Sequence, residues 1–113
     1  MAFNSIGPLY PRPAYDGAGN QIPSQSVTVS TAAVAAAGFA IPAAGGPEMV
    51  TFDVQGVDVR CRWDGTDPTG SVGHVLPAGS AYTWWVTQWN NAKFIRISTA
   101  ATDATLFASG AQA

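Results

Sequence analysis

From Ser24 onward, apolar and polar residues alternate in short runs separated by Gly, Pro, Asn and Asp. In Ser24–Thr31, Val27 and Val29 share one face, which is the period of a half-buried strand. The alanine-rich stretch Thr31–Ala40 has helical propensity, but its flanks are strand-like. A turn is expected there, followed by a strand through Gly38–Ile41 and a loop over Pro42–Pro47. Met49–Val54 reads as a strand, Gln55-Gly56 as a two-residue hairpin turn, and Val57–Trp63 as its partner strand. In the partner, Val57, Val59, Cys61 and Trp63 fall on one face and Asp58, Arg60 and Arg62 on the other, so one side is buried and one is polar. Asp64–Gly70 is a turn cluster, Gly73–Leu76 a short strand, Ser80–Val86 another, and Gln88–Asn91 a turn. Strands over Lys93–Ser98 and Ala104–Ser109 complete the pattern. Seven or eight short strands with Gly- and Pro-rich turns predict an all-β domain, an antiparallel β-sandwich or jelly roll. No internal repeat or second domain is visible.

The first 24 residues differ. They hold Pro8, Pro11, Pro13 and Pro23 and show no strand or helix period. Proline fixes φ and drives the preceding residue to extended conformations, so residues 1–24 are expected to form an extended N-terminal arm ahead of a β domain spanning 25–113. Fully extended, such an arm reaches about 80 Å. It carries Phe3, Ile6, Leu9, Tyr10, Tyr15 and Ile22 with little charge, unlike a typical disordered tail. Stiff apolar segments lose less entropy on docking, which suits laying along a neighbouring subunit.

Composition narrows the function. Charged residues are 11% of the chain, against about 25% in ordinary soluble domains. Either the surface is neutral and hydroxyl-rich, or partners cover much of it. The net charge of −2, with five Lys and Arg, argues against nucleic-acid binding and removes polybasic attraction to membranes. The Thr31–Ala44 run is too short and too broken to span a bilayer. A single cysteine, Cys61, precludes an intrachain disulfide, and the N-terminus lacks the pattern of a signal peptide; synthesis in a reducing cytoplasm is expected.

Catalytic chemistry finds little support. His74 is the one histidine and has no nucleophile-elbow context. Cys61 lies on an apolar strand face, where it behaves as a small hydrophobe. Asp64-Gly-Thr-Asp67 faintly resembles a calcium loop but lacks the rest of the ligand alternation and the distal Glu. No enzyme activity, metal or other cofactor is expected. The remaining signal is aromatic. Trp84 and Trp85 are adjacent in a strand and so point to opposite faces, one to fill the core and the other to meet solvent, a protein interface or a sugar ring. Arg60 and Arg62 either meet carboxylates on a partner or pair with Asp53 or Asp58 around the hairpin.

The run VTFDVQGVDVRCRWDGTDPTGSVGHVLPAGS, from Val50 to Ser80, and the later KFIRISTAATDATLFASG resemble a group of small phage structural proteins. The pattern lies in Arg60, Arg62, Asp64, Gly65, Thr66, Pro68, Thr69, Gly73, Leu76, Gly79 and Lys93 to Arg96, covering roughly residues 48 to 110 but not the arm. The resemblance implies a virion protein with a β-sandwich, made in the bacterial cytoplasm and assembled on the particle. The expectation is a capsid cement (decoration) protein on the capsid exterior, bound to the major capsid protein and itself a homo-oligomer, with a trimer favoured. Tyr10, Arg12 and Tyr15 would anchor the arm, and Arg60, Arg62, Trp84 and Trp85 would serve the body. The alternatives are a tail-tube or head–tail connector component and a carbohydrate-binding module.

Overall fold

A computed structural model describes residues 12–15, 18–39 and 48–112 of the chain. Among the described residues, nine strands run in the order β1 (Arg12–Pro13), β2 (Gln25–Val29), β3 (Val34–Ala35), β4 (Met49–Gln55), β5 (Val59–Arg62), β6 (His74–Leu76), β7 (Ala81–Trp85), β8 (Lys93–Arg96) and β9 (Ala104–Gln112). One short helix, α1 (Val86–Asn91), lies between β7 and β8. The strands form two antiparallel sheets, so the all-β expectation holds. The first sheet has the order β1-β9-β4-β7, with β2 also on β9, and the second has the order β3-β8-β5-β6.

The pairing is nested. β2 pairs with β9, β3 with β8, β4 with β7, and β5 with β6. That is the order obtained when one long antiparallel ribbon, folded at its middle, is wound so that successive strands alternate between two sheets, as in a jelly roll. The inward faces of both sheets meet in a single hydrophobic core. Val50, Phe52 and Val54 of β4 and Ala104, Leu106 and Ala108 of β9 enter from the first sheet, and Val59, Cys61 and Phe94 from the second. Phe52 is the junction. Its ring lies 4.7 Å from Trp84, 5.0 Å from Trp89 and 6.4 Å from Phe94, and so joins both sheets and the helix.

The β4–β5 connection departs from the expected hairpin. Gln55 stays paired with Thr105 of β9, whereas Val59 pairs with Arg96 of β8 and Leu76 of β6. Gln55–Asp58 therefore carries the chain from one sheet to the other. Gly56 has φ +98°, and a Cβ there would sit 3.2 Å from the Asp103 carbonyl, so the glycine serves a crossing packed against the β8–β9 loop. The alternation predicted for Val57–Trp63 holds within β5, where Val59 and Cys61 are buried, because the arch lets Val54 and Val59 face one core from opposite sides; Trp63, expected on the buried face, lies past the end of β5 and is exposed. The turn expected at Gln88–Asn91 is part of α1, which buries Val86 and Trp89 and closes one end of the core. A strand occurs at Val34–Ala35, ahead of the expected Gly38–Ile41. Gly38 and Phe39 are irregular, and Asn90 holds them, its Oδ1 accepting from Phe39 N at 3.0 Å and its Nδ2 donating to Phe39 O at 2.8 Å. Ala40 and Ile41 lie outside the described residues.

The described part of the expected arm is docked on the body and does not reach away from it. Arg12 and Pro13 pair with Gln112 and Ala111 of β9. Tyr15 bridges to Gln21, Ile22 N donates to Ala14 O at 2.9 Å, and Ala14 is buried. β1 thus lies on the same edge of β9 that β2 occupies. Tyr10 and the rest of residues 1–11 lie outside the described residues.

Phe52 and Phe107 offer the same chemistry in opposite settings, one buried at the junction and one exposed on β9. Phe52→Ala is expected to cost about 3–5 kcal/mol in urea unfolding, and Phe107→Ala less than about 1 kcal/mol. Equal losses would contradict the placement of the core.

Candidate protein interface

The outward faces of the two sheets have opposite characters. On the second sheet, Arg60, Arg62 and Lys93 alternate with the buried positions and point away from the core. The 64–73 loop is bound to this side. Arg60 Nε donates to Gly70 O at 3.1 Å and Nη1 to Gly73 O at 3.0 Å. Arg62 pairs with Asp64 at 2.6 Å, and Lys93 with Asp67 at 3.0 Å. Asp64 Oδ1 also accepts the Thr66 N–H, and these bonds, that from Arg62 foremost, hold the Asp64 carboxyl below the usual carboxylate range. Gly73, at φ +138°, brings the returning chain so close that a Cβ would lie 3.0 Å from the Cys61 carbonyl. Arg96, at the far end of β8, pairs with Asp103 and donates to the Ala100 carbonyl.

Each cation whose side chain is described therefore has a partner within the chain. Arg60 and Arg62, expected either to meet an outside partner or to pair with Asp53 or Asp58, instead bind their own following loop. Arg60 is a latch satisfied by two carbonyls, and Arg62 forms an exposed pair of the kind that contributes little to stability.

The outward face of the first sheet is almost uncharged. Across the strands, Ser26, Phe107, Asp53 and Ala81 form one row, Ser109, Thr51 and Thr83 the next, and Ala111, Met49 and Trp85 a third. Asp53 is the single charged side chain in these rows. Hydroxyls satisfy one another, Ser24 Oγ with Ser109 Oγ at 2.7 Å and Thr51 Oγ1 with Thr83 Oγ1 at 3.4 Å. Trp85 is 63% exposed and Phe107 45% exposed. The division expected for the tryptophan pair is present: Trp84 turns inward against Phe52 and Phe94, and Trp85 outward. Trp84 is thus a core residue and Trp85 a surface one. Tyr15 is also exposed; Arg12 lies in β1. Phe107 was not singled out from sequence, although a large aromatic in the Thr105, Phe107, Ser109 set, opposite Ala104, Leu106 and Ala108, was the available signal.

A second feature is a shallow cleft of about 500 Å³ lined by Arg62, Trp63, Asp64, Val72, Gly73 and His74. Trp63 and His74 stack at 4.7 Å and 14°. The imidazole is thereby held as part of an aromatic wall. Cys61, on the inward side beneath it, is buried, and desolvation pushes its thiol up to about 11.

No protein-family model, curated protein or solved structure matches the chain.

Two outcomes follow from the placement of Arg60 and Cys61. Arg60→Ala is expected to cost about 1–3 kcal/mol and to speed amide exchange in the 64–73 loop, because two part-buried carbonyls lose their donor; Arg62→Ala should leave both nearly unchanged. At pH 8 the native Cys61 thiol should react with a disulfide reagent at least about 100-fold more slowly than in denaturant, since its thiolate fraction falls with the raised pKa.

Proposed function

We propose that this protein is a structural component of a phage virion, a capsid cement (decoration) protein that docks on the major capsid protein through the outer face of its first sheet. One observation carries the proposal: Arg62, Lys93 and Arg96 pair with aspartates of the chain and Arg60 with its carbonyls, while the outer face of the first sheet, with Asp53 as the charge in its rows, presents Phe107 and Trp85 to solvent. Interfaces favour aromatic anchors and deplete charge at their centre. Ser and Thr around these anchors exchange water for a partner's polar groups at low desolvation cost, since several already bond to each other.

Size sets the mode of binding. Four strands at about 4.8 Å spacing and three rows about 7 Å apart make a face of order 400 Å². That is about half of the roughly 800 Å² per partner in a stable standard interface. One copy on one site would bind weakly. A lattice offers repeated sites, and contacts from Tyr10, Arg12 and Tyr15 at the N-terminal end would add to the sheet face. A ligand that binds only the assembled shell stabilises that shell by mass action, and multivalent contacts multiply the effect. The same face would serve a tail-tube or connector component, and copy number separates these, since cement covers the whole shell and a connector forms a single ring. On this reading the protein is not an enzyme.

The cleft beside Trp63 favours a second function, a carbohydrate-binding module, because an aromatic wall next to a carboxylate and a guanidinium suits a sugar ring. Glycan-array binding that Trp63→Ala abolishes would establish it in place of the first.

The proposal is tested by sedimenting the protein with virion particles stripped of it. Phe107→Asp should keep the wild-type melting curve and lose at least about 90% of particle binding, as a buried unpaired carboxylate in an interface centre requires. Undiminished binding of that variant, or absence of the protein from intact particles, would overturn it.

A further inference from the structure

Among the described residues, the edge of the first sheet formed by β7 shows none of the devices by which sheets protect an open edge. Ala81–Trp85 contains no charge, no proline and no glycine, and the strand is five residues long. The second sheet, by contrast, ends in β3 and β6, of two and three residues. The phase of the β7 hydrogen bonds is set by its flanks, where Val54 N donates to Ser80 O and Val86 N to Glu48 O, both at 2.9 Å. Two-residue alternation in the β4 register therefore turns the backbone groups of Tyr82 and Trp84 towards β4. The N–H and C=O of Ala81 and Thr83, and the N–H of Trp85, point the other way, off the sheet. Among the described residues none pairs with them, and Ala81, Thr83 and Trp85 are all exposed. The Trp85 carbonyl sits at the N-cap of α1, where it accepts the first helical bond.

We infer that β7 pairs antiparallel with β7 of a second copy across a two-fold axis at Thr83. The strand is self-complementary about that residue. Thr83 would face Thr83 of the other copy, and Trp85 would face Ala81, so the largest side chain on the strand lies over the smallest. Four N–H···O bonds close the joint, two between the threonines and two from Trp85 N–H to the Ala81 carbonyl, without using the carbonyl engaged by α1. The pairing joins the two first sheets into one and shields part of the indole that is 63% exposed in one copy. The opposite edge is a poorer match. β2 directs the open backbone groups of Ser26 and Thr28 outward and would bury no large apolar side chain by self-pairing. This association stands independently of the capsid proposal, since it needs only a second copy of this chain.

Sedimentation of the full chain over a range from about 1 µM to about 500 µM should show a monomer–dimer equilibrium within that span. Thr83→Lys places two ammonium groups face to face and should raise the dissociation constant about tenfold or more. Ser26→Lys on β2 should leave it within about twofold. Because Thr83→Lys preserves the strand backbone, its melting curve when monomeric reports whether the fold is intact. A covalent readout does not depend on that variant. Thr83→Cys should oxidise to a disulfide dimer, since facing residues lie about 5.5 Å apart. Ala81→Cys should stay unlinked, because its two copies would be about 13 Å apart along the strand. Buried Cys61 does not compete. A monomer at the highest concentration, a dimer indifferent to Thr83→Lys, a dimer weakened equally by Ser26→Lys, or equal cross-linking at Ala81 and Thr83 would each overturn the inference.

Discussion

The contact on which the rest of this molecule depends is the packing of Phe52. Its ring meets Trp84 edge-on, Trp89 and Tyr82 at a tilt, and Phe94 across the core. These residues come from β4, β7, α1 and β8, so one side chain links both layers and the cap that closes them. Tilted and edge-on aromatic pairs each add about 0.5–1.5 kcal/mol beyond the area they bury. The nested pairing of strands makes such a junction necessary. A wound ribbon brings together segments far apart in sequence, and their loop-closure entropy must be offset by a core shared among all of them.

That arrangement divides the surface into two kinds. The second sheet keeps the charges and uses them at home, with Arg60 fastening the 64–73 loop and Arg62, Lys93 and Arg96 each meeting an aspartate. The first sheet keeps hydroxyls and two exposed aromatic rings. A chain with 11% charge cannot coat both faces in ions. Where charge is spent on holding a loop, the opposite face is left with Asp53 in its rows, and faces poor in charge associate more readily than charged ones.

The docked residues 12–15 and 18–24 change the expected role of the N-terminus. Their backbone completes the β9 edge beside β2, so this portion contributes to the sheet and carries the chain to a defined corner of the molecule. Deleting it would strip an edge as well as any contact it makes elsewhere. Stiffness from Pro13 and Pro23 suits this use equally well, since a segment that is already extended loses little entropy when it adds to a sheet.

The sequence alone determined that the protein is built of strands, because period-two alternation is local: Val57 to Trp63, Val27 with Val29, and the split of Trp84 from Trp85 needed no partner to be recognised. It also showed that Val59 and Cys61 go inward, but left open which of Trp84 and Trp85 does. Tertiary structure decided which strands meet. Gln55-Gly56 carries the local signature of a hairpin, yet β4 and β5 lie in different sheets, since each strand finds better burial against distant partners than against its neighbour. The fates of Arg60, latched to carbonyls ten and thirteen residues on, and of Phe107, exposed on a face that only the register assembles, were equally out of local reach. Alternation is a property of one strand, whereas pairing, and with it the character of each face, is a property of the whole wound chain.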